Sequence, residues 1–298
     1  MLLSLVIPAK DKNDPKLSEL LKSIEAQVFP KDQMEVLVIT EGTSESAKAI
    51  GIRRAKGEVI GILAADNVLT YSSDLLRAMY SETKHYGATY IGYYRSSRQF
   101  HSKGDSLNRY FALIGGNDPL SFYMGKNDKV PHWSIPKPFC TCGKTLGDNG
   151  FFVLKEWILK TDLDNYYHID NANETGLCAK WLPFEIVHNT GGNIFKFFAK
   201  RYHYGLQHAF NKNRRWHLVD FSKSKDIWRL LWFIFVTLTV IEPLCLSIRG
   251  YLKVRDVAWF LHPLVCLMTL FTYGLLVLNL GTKRLFRLLS APMAAKRA

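Results

Sequence analysis

Five side chains have the types and spacing to do chemistry together: Glu41, Asp66, Asp148, Asp170 and His188. Each follows a short apolar run or sits in a polar break, where open α/β sheets gather functional groups. Asp66 is the clearest. It belongs to GEVIGILAADN (57–67), in which Gly57 closes a helical stretch, Val59–Ala64 reads as a buried strand, and a polar break follows. One carboxylate plus one imidazole form a mixed donor set of the kind that holds a hard divalent cation when a diphosphate completes the shell. A separate carboxylate is suited to act as general base toward a hydroxyl. Taken singly, all of these are also ordinary turn and cap residues.

The elements that must position them alternate between strand and helix. Leu3–Ile7 is a β-rich run stopped by Pro8, and Pro15 opens a helix with the stripe Leu17, Leu20, Leu21 and Ile24. Met34–Ile39 is a second strand that runs into Thr40 and Glu41. Ser46–Lys56 reads as a helix closed by Gly57, Ser72–Tyr86 as a helix capped by Ser72 or Ser73, and Tyr90–Tyr94 as a further strand. Such alternation with short connections predicts βαβ units and a mostly parallel sheet flanked by helices. Residues 96–165 carry turn signals around Gly115–Pro119 and at Pro131, Pro136 and Pro138, and read as a loop-rich insert suited to substrate contacts. Within it Phe151–Leu154 follows Asn149-Gly150, and a helix begins near Glu156. Tyr166–Asp170 is a short run, Ala172–Lys180 a helix, and Phe184–Val187 a strand ending at His188.

The charge is unevenly placed. Residues 191–298 hold 17 Lys+Arg against 4 Asp+Glu, a surplus equal to the whole chain's +13. That surplus accompanies apolar helices and not stacking platforms, so it points to an anionic membrane face and away from nucleic acid. Ile194–Phe210 mixes aromatic residues with cations and suits an interfacial helix. Leu230–Ile248 (broken by Glu242-Pro243) and Val257–Leu280 are each long enough to cross a bilayer, which predicts a two-helix transmembrane hairpin. Lys223, Lys225, Arg229, Lys283, Arg284, Arg287, Lys296 and Arg297 flank one side, against Arg249, Lys253 and Arg255 in the connector. The positive-inside rule then puts both the N-terminal domain and the C-terminus in the cytoplasm. The organisation is residues 1–193 as a catalytic domain, 194–226 as an interfacial segment and 227–298 as hairpin and basic tail. Five cysteines without regular spacing imply reduced thiols, with Cys140 and Cys142 too close for the usual zinc knuckle. The opening MLLSLVIP lacks a basic n-region and reads as the first strand.

The order of these motifs resembles the family 2 glycosyltransferases with a GT-A fold. The resemblance rests on SLVIPAKD, VLVITEGTSE and AIGIRRAKGEVIGILAADN, then on GDNGFFVLKEWI, YYHIDNANE and EIVHNTGG, and spans about residues 3–216. It implies a nucleotide-diphosphate sugar donor, Mg²⁺ or Mn²⁺, and transfer with inversion. By resemblance Pro8, Ala9 and Asp11 line the nucleobase and ribose pocket, Glu41 accepts a hydrogen bond from the base, and Lys48 faces the nucleotide. Asp66 matches the last carboxylate of the family's DxD metal motif, His188 a histidine that completes metal or diphosphate binding, and Asp170 the base. Arg214, Arg215 and Trp216 fall where many members carry QxxRW, a segment that closes over diphosphate and acceptor. Three departures stand out: Ala64 replaces the first DxD aspartate, Lys212 replaces the Gln of QxxRW, and Thr40-Glu41 replaces an Asp pair.

The sequence thus leads to a membrane-anchored glycosyltransferase with a UDP-sugar favoured as donor and a polyprenyl-linked or glycan acceptor, compatible with a homo-oligomer. The alternatives are a polysaccharide-chain synthase, which Lys212 disfavours, and a non-catalytic nucleotide-binding membrane partner, which Ala64 suggests.

Overall fold

The computed structural model describes residues 1–69, 73–91, 106–115, 118–125, 149–161, 163, 179–182, 184, 186–188, 193–210, 219 and 221–294. Strand β1 (Leu3–Pro8) lies between β2 (Met34–Ile39) and β3 (Val59–Ile62), parallel to both. The sheet continues through β6 (Phe151–Leu154), β5 (Ala88–Ile91) and β7 (Lys180–Leu182). Strand β6 is antiparallel to β3 and β5, while β7 is parallel to β5, so β6 alone runs against the other five. Its direction has a local cause. Gly150, at φ 82°, donates to Ile62 C=O at 2.8 Å, and its own carbonyl accepts from Ile91 N–H at 2.8 Å. A chain anchored there, at the carboxyl end of β3, can only enter the sheet backwards. A second, two-stranded ladder pairs β4 (Asn67–Leu69) with β8 (Ile186–His188).

The alternation of side chains along each strand divides the sheet's faces. Val6, Ile60, Tyr90 and Phe151 pack with Ile52 of α2 (Ser44–Arg54) and Ile158 of α6 (Lys155–Ile158). Leu5, Ile7, Val59 and Phe152 pack with Leu17 and Leu20 of α1 (Pro15–Glu25) and Leu76 and Met79 of α3 (Leu75–Tyr86). Both layers are fully apolar at their centres, which is the main stabilising term for such a sheet.

The remaining helices build cores of their own. These are α4 (Ser106–Ile114), α5 (Pro119–Met124), α7 (Ile194–Phe210), α8 (Ser224–Thr239), α9 (Ile241–Lys253), a 3₁₀ turn Val257–Leu261 and α10 (His262–Ala294). Leu107, Tyr110 and Phe111 of α4 are buried with Phe198, Trp259 and Val265; Leu120 and Met124 of α5 are buried with Phe233 and Cys266. The middle insert therefore packs with the C-terminal helices.

Several elements differ from the sequence expectation. Strand β3 ends at Ile62 instead of Ala64, because the chain turns at 64–67 into β4. The helix expected from Ser72 begins at Leu75 after Asp74, with no side-chain cap; Ser73 instead offers its carbonyl to Val28 N–H at 2.6 Å. Lys180, expected in a helix, is in β7, since it pairs with Thr89 at the sheet's open edge. The insert 96–165, expected to be loop-rich, contains two buried helices. The first expected span is two helices set at 85°, broken at Val240, whose φ is 60°. Val257–Thr282 is long and apolar enough to cross a membrane, with mean hydropathy 2.0. Cys140, Cys142, Cys178 and Lys212 lie outside the described residues, as does part of the run expected as a strand at Tyr90–Tyr94.

One buried polar knot fastens the first strand. Ser4 Oγ donates to Glu35 Oε1 at 2.6 Å and accepts from Gly57 N–H at 2.7 Å, and a Cβ on Gly57 would stand 2.5 Å from Ser4 N. Ser4→Ala leaves the Gly57 N–H buried without an acceptor and is expected to cost about 1–3 kcal/mol. Urea unfolding in detergent checks it: the midpoint falls while the slope is unchanged.

Candidate active site

Because β2, β1 and β3 are adjacent and parallel, their carboxyl ends share one edge of the sheet. That edge carries Pro8, Ala9 and Asp11 after β1, Glu41 after β2, and the 64–67 turn after β3. Ala9 N–H donates to Ile39 C=O at 2.9 Å, which fixes the first of these segments against the second. Asp11 is exposed and accepts from Asn13 N–H at 2.9 Å, while Asp14 caps α1 through Lys16 N–H at 2.9 Å. The α1 N-terminus thus opens beside the edge.

Glu41 is exposed and held in a two-pronged contact by Arg54, each N–H···O distance being 3.0 Å. The hydrogen bonds from Arg54, then its charge, hold this carboxyl below its ordinary value, and Lys12 adds to the effect. Glu41 is therefore a carboxylate at neutral pH, with lone pairs left over for a further donor. Lys48 is half-buried on α2, past the reciprocal Thr43–Ser46 cap that starts that helix.

The 64–67 turn is more tightly built. Asn67 N–H donates to Ala64 C=O at 3.0 Å, and Ala64 N–H donates both to Asn67 Oδ1 at 2.9 Å and to Asn149 Oδ1 at 3.1 Å. Asn67 opens β4 and pairs directly with His188, the last residue of β8. That register delivers the imidazole to the turn: His188 Nε2 lies 3.0 Å from Asp66 Oδ1, with the side chains 12% and 23% exposed. Burial by itself pushes the Asp66 carboxyl up. The neighbouring His188, by charge and hydrogen bond, together with Lys200 and Lys16, outweighs this and brings it down to about 2.

Of the residues singled out in the sequence, the structure brings Asp66 and His188 into contact and sets Pro8, Ala9, Asp11 and Glu41 along the same edge. Asp148, Asp170, Arg214, Arg215 and Trp216 lie outside the described residues. Two asparagines escaped sequence reasoning. Asn67 and Asn149 position the turn through Ala64 N–H, and their only signal was adjacency to a carboxylate, as Asp66-Asn67 and Asp148-Asn149. The side-chain amide nitrogen of Asn67 is buried with no hydrogen-bond partner among the described residues.

Among the described residues no three His, Cys, Asp or Glu side chains gather as a cation site. Asp66 and His188 nevertheless fit a divalent ion of the Mg²⁺ or Mn²⁺ class. In the structure Nε2 and Oδ1 bond directly to one another at 3.0 Å, so an ion held by both would take the place of the proton they share. Ions of this class take few protein donors and fill the shell with water and substrate phosphate.

No family model and no curated protein matches the chain. Solved structures that align with it include S. aureus TarS, at 11% identity and TM-score 0.42 over 69% of this chain and 40% of that one. TarS 1–349 in complex with UDP-GlcNAc aligns at 10% identity and TM-score 0.39, over 71% of this chain and 68% of that one. A197 from STIV aligns at 11% and 0.35, over 61% and 82%. The chain spans 40% of the length of the first of these. Identities near a tenth, with TM-scores below 0.5, assign neither activity nor ligand.

The Asp66–His188 contact has a signature in acid. A carboxyl lowered from 3.8 to about 2 on folding contributes stability that is fully present above pH 3.8 and is lost as pH falls through 2. The contribution is on the order of 2 kcal/mol. Measured by denaturant unfolding, the stability gap between wild type and Asp66→Asn is expected to close between those two pH values.

Proposed function

We propose that this chain is a membrane-associated, inverting glycosyltransferase of the GT-A type. It moves a hexosyl or N-acetylhexosaminyl group from a nucleoside-diphosphate donor, with UDP favoured, to a polyprenyl-linked acceptor. The observation that carries this reading is the Asp66–His188 contact. Two residues remote in sequence meet at the sheet edge that also holds Pro8, Ala9, Asp11 and Glu41, the order in which the family motifs would require them.

Each residue then has a task. Pro8, Ala9 and Asp11 flank the nucleobase and ribose, Glu41 accepts a hydrogen bond from the base, and Lys48 faces the nucleotide. Asp66 and His188 hold a Mg²⁺ or Mn²⁺ ion, which when bound supplies Lewis-acid neutralisation of the leaving diphosphate. Ala64 contributes its backbone N–H to fix the turn, where the family pattern has a carboxylate. The acceptor oxygen attacks the anomeric carbon opposite the departing nucleoside diphosphate, and its proton passes to the base carboxylate, Asp170. Where the acceptor is a phosphate, the base only orients it. Arg214, Arg215 and Trp216 close over the diphosphate and acceptor.

Asp148 is the second reading for the base. It is favoured by its covalent neighbour Asn149, whose side chain holds the Asp66 turn. The exposed apolar stripes of α8, α9 and α10, with the surplus of cations in residues 191–298, support a membrane-bound acceptor and a cytoplasmic sheet domain.

The test is a donor panel of UDP-, GDP- and dTDP-sugars, each with and without Mn²⁺, read by thermal shift and then by turnover in detergent. A UDP-sugar should raise the melting temperature more with Mn²⁺ than without it. Asp66→Ala should lower kcat/KM by roughly 10²–10³-fold. Asp170→Asn should keep donor binding and lose roughly 10²–10⁴-fold in kcat; unchanged turnover would move the base to Asp148. Donor binding indifferent to Mn²⁺, with no turnover by any variant, would instead identify a non-catalytic nucleotide-binding partner.

A further inference from the structure

The geometry points to a membrane unit that sits in one leaflet of an anionic bilayer and does not cross it. This rests on the membrane association proposed above and is independent of sugar transfer. A crossing hairpin would put its connector, residues 249–256, on the opposite side of the bilayer from the sheet domain. The structure instead packs the connector against the insert that stands in the chain between two strands of the main sheet. Asp256 pairs with Arg109 of α4, Nε lying 3.2 Å and 3.3 Å from its two oxygens, and the side chains are 11% and 18% exposed. Trp259, just beyond, is 1% exposed and packs with Leu107, Tyr110 and Phe111 of the same helix. Helix α4 stands in the chain between β5 and β6, both strands of the main sheet.

The supposed first span is fastened the same way. Glu242, at its middle, accepts a hydrogen bond from Tyr123 of α5, and Arg229 donates to the Met124 carbonyl. Helices α8 and α9 have 16 and 13 residues. At 1.5 Å per residue they reach roughly 24 Å and 20 Å, each short of a hydrocarbon core of about 30 Å. Set at 85° to one another, they cannot add their lengths. Helix α10 is long enough, but α7 runs beside it: Asn279 donates to Tyr202, and a Cβ on Gly205 would stand 2.5 Å from Leu276. Lys196, Lys200 and His203 of α7 are exposed along that flank, where hydrocarbon would be costly for them.

What remains is one apolar stripe per helix. Trp228 (71% exposed) and Phe235 (59%) mark it on α8, Ile241 (68%) and Leu252 (62%) on α9, and Phe271 (67%) and Leu278 (66%) on α10. The opposite faces of α8 and α9, and of α10 as far as Tyr273, are packed against protein. A single exposed stripe on the short helices α8 and α9 suits helices that lie in the interface. Exposed Lys223, Lys225, Arg249, Lys253 and Arg255 stand at the ends of the α8 and α9 stripes, within reach of lipid phosphates. Charge complementarity thus selects an anionic leaflet as the occupant.

The full-length Lys12→Cys/Lys253→Cys variant, expressed in membranes, tests the arrangement. Sealed vesicles of both orientations are treated with a membrane-impermeant maleimide, and labelling is read peptide by peptide. Both positions should react from the same side, in right-side-out and inside-out vesicles alike. Labelling from opposite sides would restore the crossing hairpin and overturn the inference. In parallel, purified wild type should float with phosphatidylglycerol-containing vesicles roughly tenfold more than with phosphatidylcholine alone, and Trp228→Glu/Phe235→Glu should abolish flotation while keeping its circular dichroism. A soluble dimer that ignores both vesicle types would show that a second copy covers the face, and would also overturn it. Neither readout uses a sugar donor, so a chain that binds vesicles but transfers nothing would fail the catalytic reading alone.

Discussion

The short ladder of β4 with β8 is the constraint on which both halves of this molecule depend. Three residue pairs form it, Asn67 with His188, Val68 with Val187 and Leu69 with Ile186. A slip of one residue would reverse the facing of every side chain on the slipped strand and would carry the imidazole away from the carboxylate. The ladder is held on both flanks. Leu69 and Ile186 are buried in the layer beneath α1 and α3, and the turn before β4 is fixed by two asparagine oxygens converging on one backbone N–H. Helix α7 follows β8 closely in the chain, beginning at Ile194.

The helical part is a partner to the sheet and not a tail appended to it. The insert between β5 and β6 supplies α4 and α5, whose apolar faces are covered by residues of α7, α8 and α10 and of the 3₁₀ turn. Buried polar contacts give the packing its register: Tyr110 meets His262 at 2.7 Å, and Tyr273 donates to Asp118, which also caps α5 through Leu120 N–H. Groups of this sort are costly to bury unpaired, so they discriminate against any other seating of the helices.

The first ninety residues were legible because local signals agreed there. Pro15 and Asp14 start α1, Met34–Ile39 is an unbroken β-rich run, and Gly57 is needed where its Cα passes Ser4. Asp66 and His188 were legible as candidates for the same reason, since each sits at the end of an apolar run. What the sequence did not display was long-range. The reversed entry of β6 depends on Gly150 bonding to both Ile62 and Ile91, and no periodicity records a direction. Lys180 carries helical propensity, yet an open parallel edge beside β5 captured it. Helices α4 and α5 are short and flanked by Gly and Pro, so turn signals masked them. The stretch 230–248 reads as one span by hydropathy because hydropathy is blind to a single residue, Val240, adopting a left-handed backbone.

Shared cores have a practical side for anyone wishing to handle the sheet domain alone. By the sequence reading, trimming the chain after residue 193 removes a membrane appendage and leaves a water-soluble domain. It would instead strip Trp259, Val265 and Phe198 from Tyr110, Phe111 and Leu113, and Phe233 and Cys266 from Leu120 and Met124. The shortened protein would carry a raw apolar wound in the middle of its sequence, and its natural fate is aggregation. Biochemistry on this molecule belongs with the whole chain, in detergent or lipid nanodiscs.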